Sequence, residues 1–157
     1  MKKGELLSQP FTYIFALILI GLLFFFGYKA INSFQEKAQL VELANFVNDL
    51  KSNVKTYYNF DTGSSKQLSL SLPKKVKKIC FTNLGEIPST TDPDLKLLLN
   101  KNNNMYIFPI EAFSMNTFKI DYLRINQPPL CFNVDGKFNA KITKIIDNRK
   151  PYVQLIK

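Results

Sequence analysis

The sequence predicts an α+β fold: a long N-terminal helix, its first half membrane-spanning and its second half amphipathic, followed by a small antiparallel β-sheet head with one short helix. Three observations carry this. The run from Phe11 to Tyr28 has no charged side chain. Beyond it, apolar residues recur at spacings of three and four, the period of one helix face. From about residue 67 the period falls to two, the signature of half-buried strands.

The first helix has a defined starting point. Proline is accommodated at the first helical position and is costly further in, so Pro10 places the start, with Ser8 or Gln9 at the cap. FTYIFALILIGLLFFFGYKAI then runs about 18 to 21 residues, roughly 27 to 31 Å as a helix, which matches the hydrocarbon thickness of a bilayer. A soluble core helix of that length carries a polar face, and this segment has none. Tyr13 and Tyr28 lie near its ends, where aromatic belts are expected. Bulky Phe24, Phe25, Phe26 and Tyr28 follow the apolar stretch in place of the small residues of a secretory cleavage site, so the segment is expected to stay on the protein.

The stripe Leu40, Leu43, Val47, Leu50, Val54 and Tyr57 extends the helix to about Tyr58, with Ile31, Phe34, Ala38 and Val41 on a neighbouring line upstream. Two fates are open to it: burial against the chain's own head, or a seam with a partner helix. NFDTGSS ends the helix, with Gly63 as the break.

In the head, QLSLSL sets Leu68, Leu70 and Leu72 on one face. Residues 77–83, 105–110, 118–125, 130–134, 137–146 and 152–156 read as further strands of an antiparallel meander. Asp135-Gly136 is a hairpin signal, and the segment 147–151 makes a looser turn. TTDPDLKLLL is a short helix with Asp92 as N-cap, Pro93 at the first position and Asp94 favouring the dipole; KNNNM after it is a polar loop.

Composition narrows the function. The chain has no histidine, which removes Ser-His and Cys-His nucleophile pairs, His-ligated zinc and a His general base. The Asp and Glu residues are scattered singly apart from Asp92 and Asp94, whose capping role accounts for them. The expected protein is not an enzyme and needs no cofactor or metal. Net charge is +9, nearly all of it beyond residue 10, which favours anionic partners. LPKKVKKIC gathers Lys74, Lys75, Lys77 and Lys78; on an alternating strand this is either a solvated edge that resists aggregation or a contact for anionic lipid or glycan. No RNP, KH or helix-turn-helix pattern accompanies it, so nucleic acid is not the expected partner.

Cys80 and Cys131 sit in matching settings, KICFTN and PLCFNV. Outside the cytoplasm they make a disulfide candidate; the other reading is a pair of buried, reduced cysteines acting as small hydrophobes. With no third thiol or imidazole they do not form a metal site.

The tip KKGELL, ahead of a long apolar helix, resembles the class III signal peptide of type IV prepilins, archaeal versions included, in which a membrane peptidase cuts after the glycine on the cytoplasmic side. The resemblance implies a processing site between Gly4 and Glu5, with the apolar segment kept on the mature chain. Ser8-Gln9-Pro10 departs from the pattern by interrupting the apolar stretch. A helix half in lipid and half amphipathic also resembles the spine of type IV pilins, which packs against a β-rich head. The N-terminus and the Cys-Phe strands are further similar to small archaeal single-pass membrane proteins that begin with KG-x-LLSQP stretches, a likeness that brings no assigned activity.

The expected organisation is therefore a cytoplasmic basic tip (1–10), a transmembrane helix (11–31), its amphipathic continuation (32–60) and a β-rich extracytoplasmic head (61–157). The expected place is the cell membrane, single-pass, with the N-terminus inside. Two functions fit: a pilin-like structural or adhesive subunit, or an uncleaved anchor whose basic head binds an anionic ligand or supports assembly of a membrane complex. The expected partners are the bilayer, other copies through the N-terminal helix, and anionic lipid or glycan.

Overall fold

The computed structural model describes the backbone of residues 8–147 and 149–157, and the side chains of these except residues 8–11 and 32. The chain divides into two compact units, 1–39 and 40–157.

Helix α1 covers Ser8–Tyr58 and belongs in part to each unit. In the first unit it is apolar and bare: Tyr13, Leu17, Leu23, Phe24 and Phe34 are all exposed. Leu23 and Phe24 keep 73% and 75% of their surface, values that an aqueous environment would penalise heavily.

In the second unit the rest of α1 is a core element. Leu43, Phe46, Val47, Leu50 and Val54 are buried and join one cluster with residues of the head. Of the two fates open to the stripe, packing on the chain's own head is the one found. Leu40, the first residue of the predicted stripe, stays 45% exposed, and Phe46, which the stripe omits, is 1% exposed. Ile31, Phe34 and Val41 of the neighbouring line are exposed.

The head is built from β1 (Ser65–Ser71), β2 (Lys78–Phe81), α2 (Pro93–Leu98), β3 (Met105–Phe108), β4 (Thr117–Phe118), β5 (Leu123–Arg124), β6 (Leu130–Asn133), β7 (Lys137–Asp147) and β8 (Lys150–Ile156), with a 3₁₀ turn at Ile110–Ala112. The α+β class is as expected, but the single meander is replaced by two four-stranded sheets. One has the order β1-β7-β8-β5 and the other β4-β3-β2-β6. All neighbours are antiparallel except β5 and β8, which run parallel at Leu123 opposite Val153.

The two sheets differ in sequence texture for a physical reason. Along β7, burial alternates, with Phe138, Ala140 and Ile142 inward and Lys137, Asn139 and Lys141 outward, because one face meets the core and the other solvent. Every residue of β3, Met105 to Phe108, is buried. The second sheet is covered on both sides: Ile79, Phe81, Met105 and Ile107 enter the main core, while Cys80, Tyr106 and Phe108 meet Leu95 of α2 in a smaller cluster. Both faces must then be apolar, so KICF and MYIF carry no alternation.

Three predicted details are corrected. Asp135-Gly136 is not a hairpin, because β6 and β7 lie in different sheets. The Val134 amide donates to the Lys77 carbonyl, extending the β2–β6 pairing, and two residues later the Gly136 carbonyl accepts from the Leu72 amide beside β1. The chain changes sheets there, and Gly136 at φ 69° supplies the left-handed step. Residues 118–125 are not one strand but two short ones, β4 and β5. Asn104, fully buried, takes the place of a neighbouring strand: its side chain accepts from the Ile120 amide at 2.7 Å and donates to the Ile120 carbonyl at 2.9 Å. Asn83 Oδ1 likewise accepts from the Ile125 amide at 2.7 Å. The β7–β8 pairing also runs further than predicted, with Asp147 directly opposite Lys150.

Candidate functional site

Four sequence features were candidates for function, and the fold separates them. Gly4 and Glu5, the candidate processing site, lie outside the described residues. The apolar segment is realised as helix. An 18-residue window within Thr12–Tyr58 has a mean hydropathy of 2.3 and none of it is buried, so by length and composition α1 can cross a membrane.

Cys80 and Cys131 are joined in a disulfide. They face each other directly across the β2–β6 ladder, the register that antiparallel pairing of KICF with LCFN imposes. The bond ties β6, an edge strand, to the interior strand β2. It closes a loop of 51 residues that contains α2, β3, β4 and β5, together with Asn83 and Asn104 and the backbone groups they bond.

The lysine segment does not form the edge strand that its alternation suggests. β2 lies inside its sheet between β3 and β6, and the residues before it form a turn that carries the chain from one sheet to the other. Val76, fully buried, plugs that turn, and its amide donates to the Pro73 carbonyl at 2.9 Å. The four ammonium groups consequently have different surroundings. Lys74 and Lys75 are exposed at the turn. Lys77 Nζ is 3.7 Å from Asp135, both side chains largely in water, a pair that contributes little. Lys78 is withdrawn from the group: it donates to Asp92 Oδ2 and lies 4.6 Å over the Phe108 ring.

Asp92 is the expected N-cap of α2. Its Oδ1 accepts from the Asp94 and Leu95 amides at 3.1 and 3.2 Å, while Oδ2 takes the Lys78 ammonium. The hydrogen bond from Lys78, aided by its charge and by the two amides, holds the carboxyl below its usual range against the opposing effect of burial. A carboxylate so engaged is a structural cap and is not free to move protons.

No protein-family model matches the chain, and neither the curated proteins nor the solved structures include one similar to it. Among the described residues, no three His, Cys, Asp or Glu side chains come together as a metal site would require.

Sequence patterning overlooked one place in the head. Lys51 and Lys55 on α1 and Asp121 and Tyr122 in the turn between β4 and β5 line a cavity of about 270 Å³. The only local signal was the i, i+4 spacing of the two lysines, which is common on any solvated helix face.

Proposed function

We propose that the chain is a membrane-anchored, pilin-like structural or adhesive subunit, without enzymatic activity, that presents its β-rich head outside the cell. The observation that carries this is the two-part character of α1. Its first part is apolar and exposed on all sides, which suits lipid or the apolar helices of other copies. Its later turns, from Leu43 on, are core residues of the head.

The disulfide supports the extracytoplasmic side of the reading, since such bonds persist in oxidising surroundings. The absence of histidine, and the use of Asp92 as a cap, support a non-enzymatic role. Under this proposal the N-terminus is cytoplasmic and the Gly4–Glu5 bond is cut as in archaeal prepilins.

Intact-mass measurement of the protein extracted from its native membrane tests the proposal. A mass lacking Met1 to Gly4 is expected, and a full-length mass overturns prepilin processing. The second reading, an uncleaved single-pass anchor with a ligand-binding head, is favoured by the exposed Lys74 and Lys75 and by the cavity beside Tyr122.

A further inference from the structure

The cavity lined by Lys51, Lys55, Asp121 and Tyr122 sets two lysines and one carboxylate beside an aromatic ring. Tyr122 adopts φ 65°, a left-handed conformation that bulky L-residues rarely take. Two contacts hold it there. Its ring stacks on Tyr58 with centroids 4.0 Å apart and planes 26° from parallel. Its carbonyl accepts from the Val153 amide at 2.8 Å, beside the short parallel pairing of β5 with β8. The outcome is an aromatic ring fixed in orientation yet 47% exposed at the mouth of a cavity.

The charges around the ring are unequal. Lys51 and Lys55 stand one helical turn apart on the same side of α1, both exposed, and among the described residues neither is in an ion pair. Asp121 is held by Lys119 at 2.8 Å. Lys144 Nζ donates to the Tyr58 carbonyl and lies 5.4 Å over the Tyr58 ring. The surroundings are therefore net positive, with a single carboxylate at the wall.

Each part has a chemical counterpart in one ligand class. A fixed, half-exposed tyrosine ring accepts the C–H face of a pyranose. Two unpaired ammonium groups beside it accept a carboxylate. The Asp121 carboxylate accepts hydrogen bonds from hydroxyl groups and disfavours a compact dianion such as phosphate. The volume lies at the small end of ligand pockets and suits one ring of a longer chain.

We propose that this pocket binds a carboxylate-bearing sugar residue of an acidic polysaccharide. The proposal rests on the adhesive form of the function above and names what the head adheres to. The site differs from the Lys74–Lys78 segment, where two of the four ammonium groups are already in ion pairs.

The test uses the full chain in detergent micelles, titrated calorimetrically with a glucuronic-acid trisaccharide. Saturable binding is expected, with maltotriose, inorganic phosphate and uridine monophosphate each at least tenfold weaker. The double variant Lys51→Gln/Lys55→Gln, at exposed positions that leave the core intact, is expected to lose tenfold or more in affinity. Tyr122→Gly removes the ring while suiting the backbone conformation, and is expected to lose a similar factor; Lys74→Gln/Lys75→Gln is expected to bind as the parent does. No binding of the acidic sugar, equal binding of any of the three other probes, or an unchanged affinity in the Lys51/Lys55 variant overturns the proposal. Liposome flotation of the same preparation reads anchoring separately. A chain that floats but does not bind the sugar refutes the pocket alone, whereas one that fails to float refutes the anchor.

Discussion

Phe46 of α1 meets Phe138 of β7 edge-on, with ring centroids 5.6 Å apart and planes at 79°. Phe138 in turn contacts Phe81 of β2 and Phe132 of β6, so one aromatic cluster joins the helix to both sheets. Truncating Phe46 to Ala removes its burial and leaves a void between three elements, a change that costs roughly 3 to 5 kcal/mol. Leu40→Ala, at a half-exposed position, is expected to cost under about 1 kcal/mol. Urea unfolding of the two variants measures the contrast, and equal losses would contradict the placement of Phe46 in the core.

The disulfide acts mainly on the unfolded chain. Closing a loop of 51 residues restricts that ensemble by about 4 kcal/mol in the chain-entropy model. Replacing both cysteines by Ala is expected to lower unfolding stability by that order. Amide exchange should rise first in β6, the edge strand that the bond holds to β2. Unchanged exchange in β6 would count against this account.

Acid should loosen the attachment of α2 to the second sheet. Asp92 is held below its ordinary value, chiefly by the hydrogen bond from Lys78, so the unfolded chain takes up the proton first as pH falls. The stability from this group is whole above the unfolded value of about 4 and is lost as pH drops through the lower folded value. Asp92→Asn is expected to flatten the stability profile below that pH. A parent and a variant with parallel profiles would show that the ion pair contributes nothing.

Gly136 makes the step between sheets at φ 69°, and an added Cβ meets nothing closer than the Leu72 carbonyl at 3.9 Å. Gly136→Ala therefore meets no steric block, only the left-handed conformation, at a cost of about 1 to 2 kcal/mol. A loss well above that range, read by thermal unfolding, would mean that the switch of sheets itself had failed.

A lysine in place of Leu22 tests the anchor without touching the head, since the buried core begins at Leu43. Membrane insertion should weaken by roughly 3 to 4 kcal/mol, the cost of a central lysine plus the loss of the leucine. Flotation with liposomes should fall while the unfolding midpoint of the head stays unchanged. Under the pilin-like proposal, charges at Ile18 or Leu22 also block assembly of copies.

Where patterning succeeded, the cause was local. The Asp92-Pro93-Asp94 cap was legible because capping is settled within four residues, and the face of β7 was legible because one side meets water. The Asp135-Gly136 hairpin failed because the same left-handed glycine serves a tight hairpin or a change of sheet, and only the Leu72 and Lys77 partners decide between them. Asn104 was read as part of a polar loop, since nothing in KNNNM marks which asparagine will be buried against Ile120. The cavity beside Tyr122 was illegible because its lysines and its ring are some seventy residues apart and come together only in the folded head.

The sequence by itself determined the apolar helix, the amphipathic stripe after it and the β-rich head, because periodicity and hydropathy are properties of neighbours along the chain. The same holds for the exclusion of histidine chemistry, which composition settles outright. Only the tertiary structure decided that the stripe packs on its own head, that two sheets replace one, that the cysteines face each other, and that the lysine segment is a turn with two of its charges in ion pairs. These outcomes depend on which distant segment supplies each strand's partner. Alternation along a strand shows that a face is buried, and it is silent about what buries it.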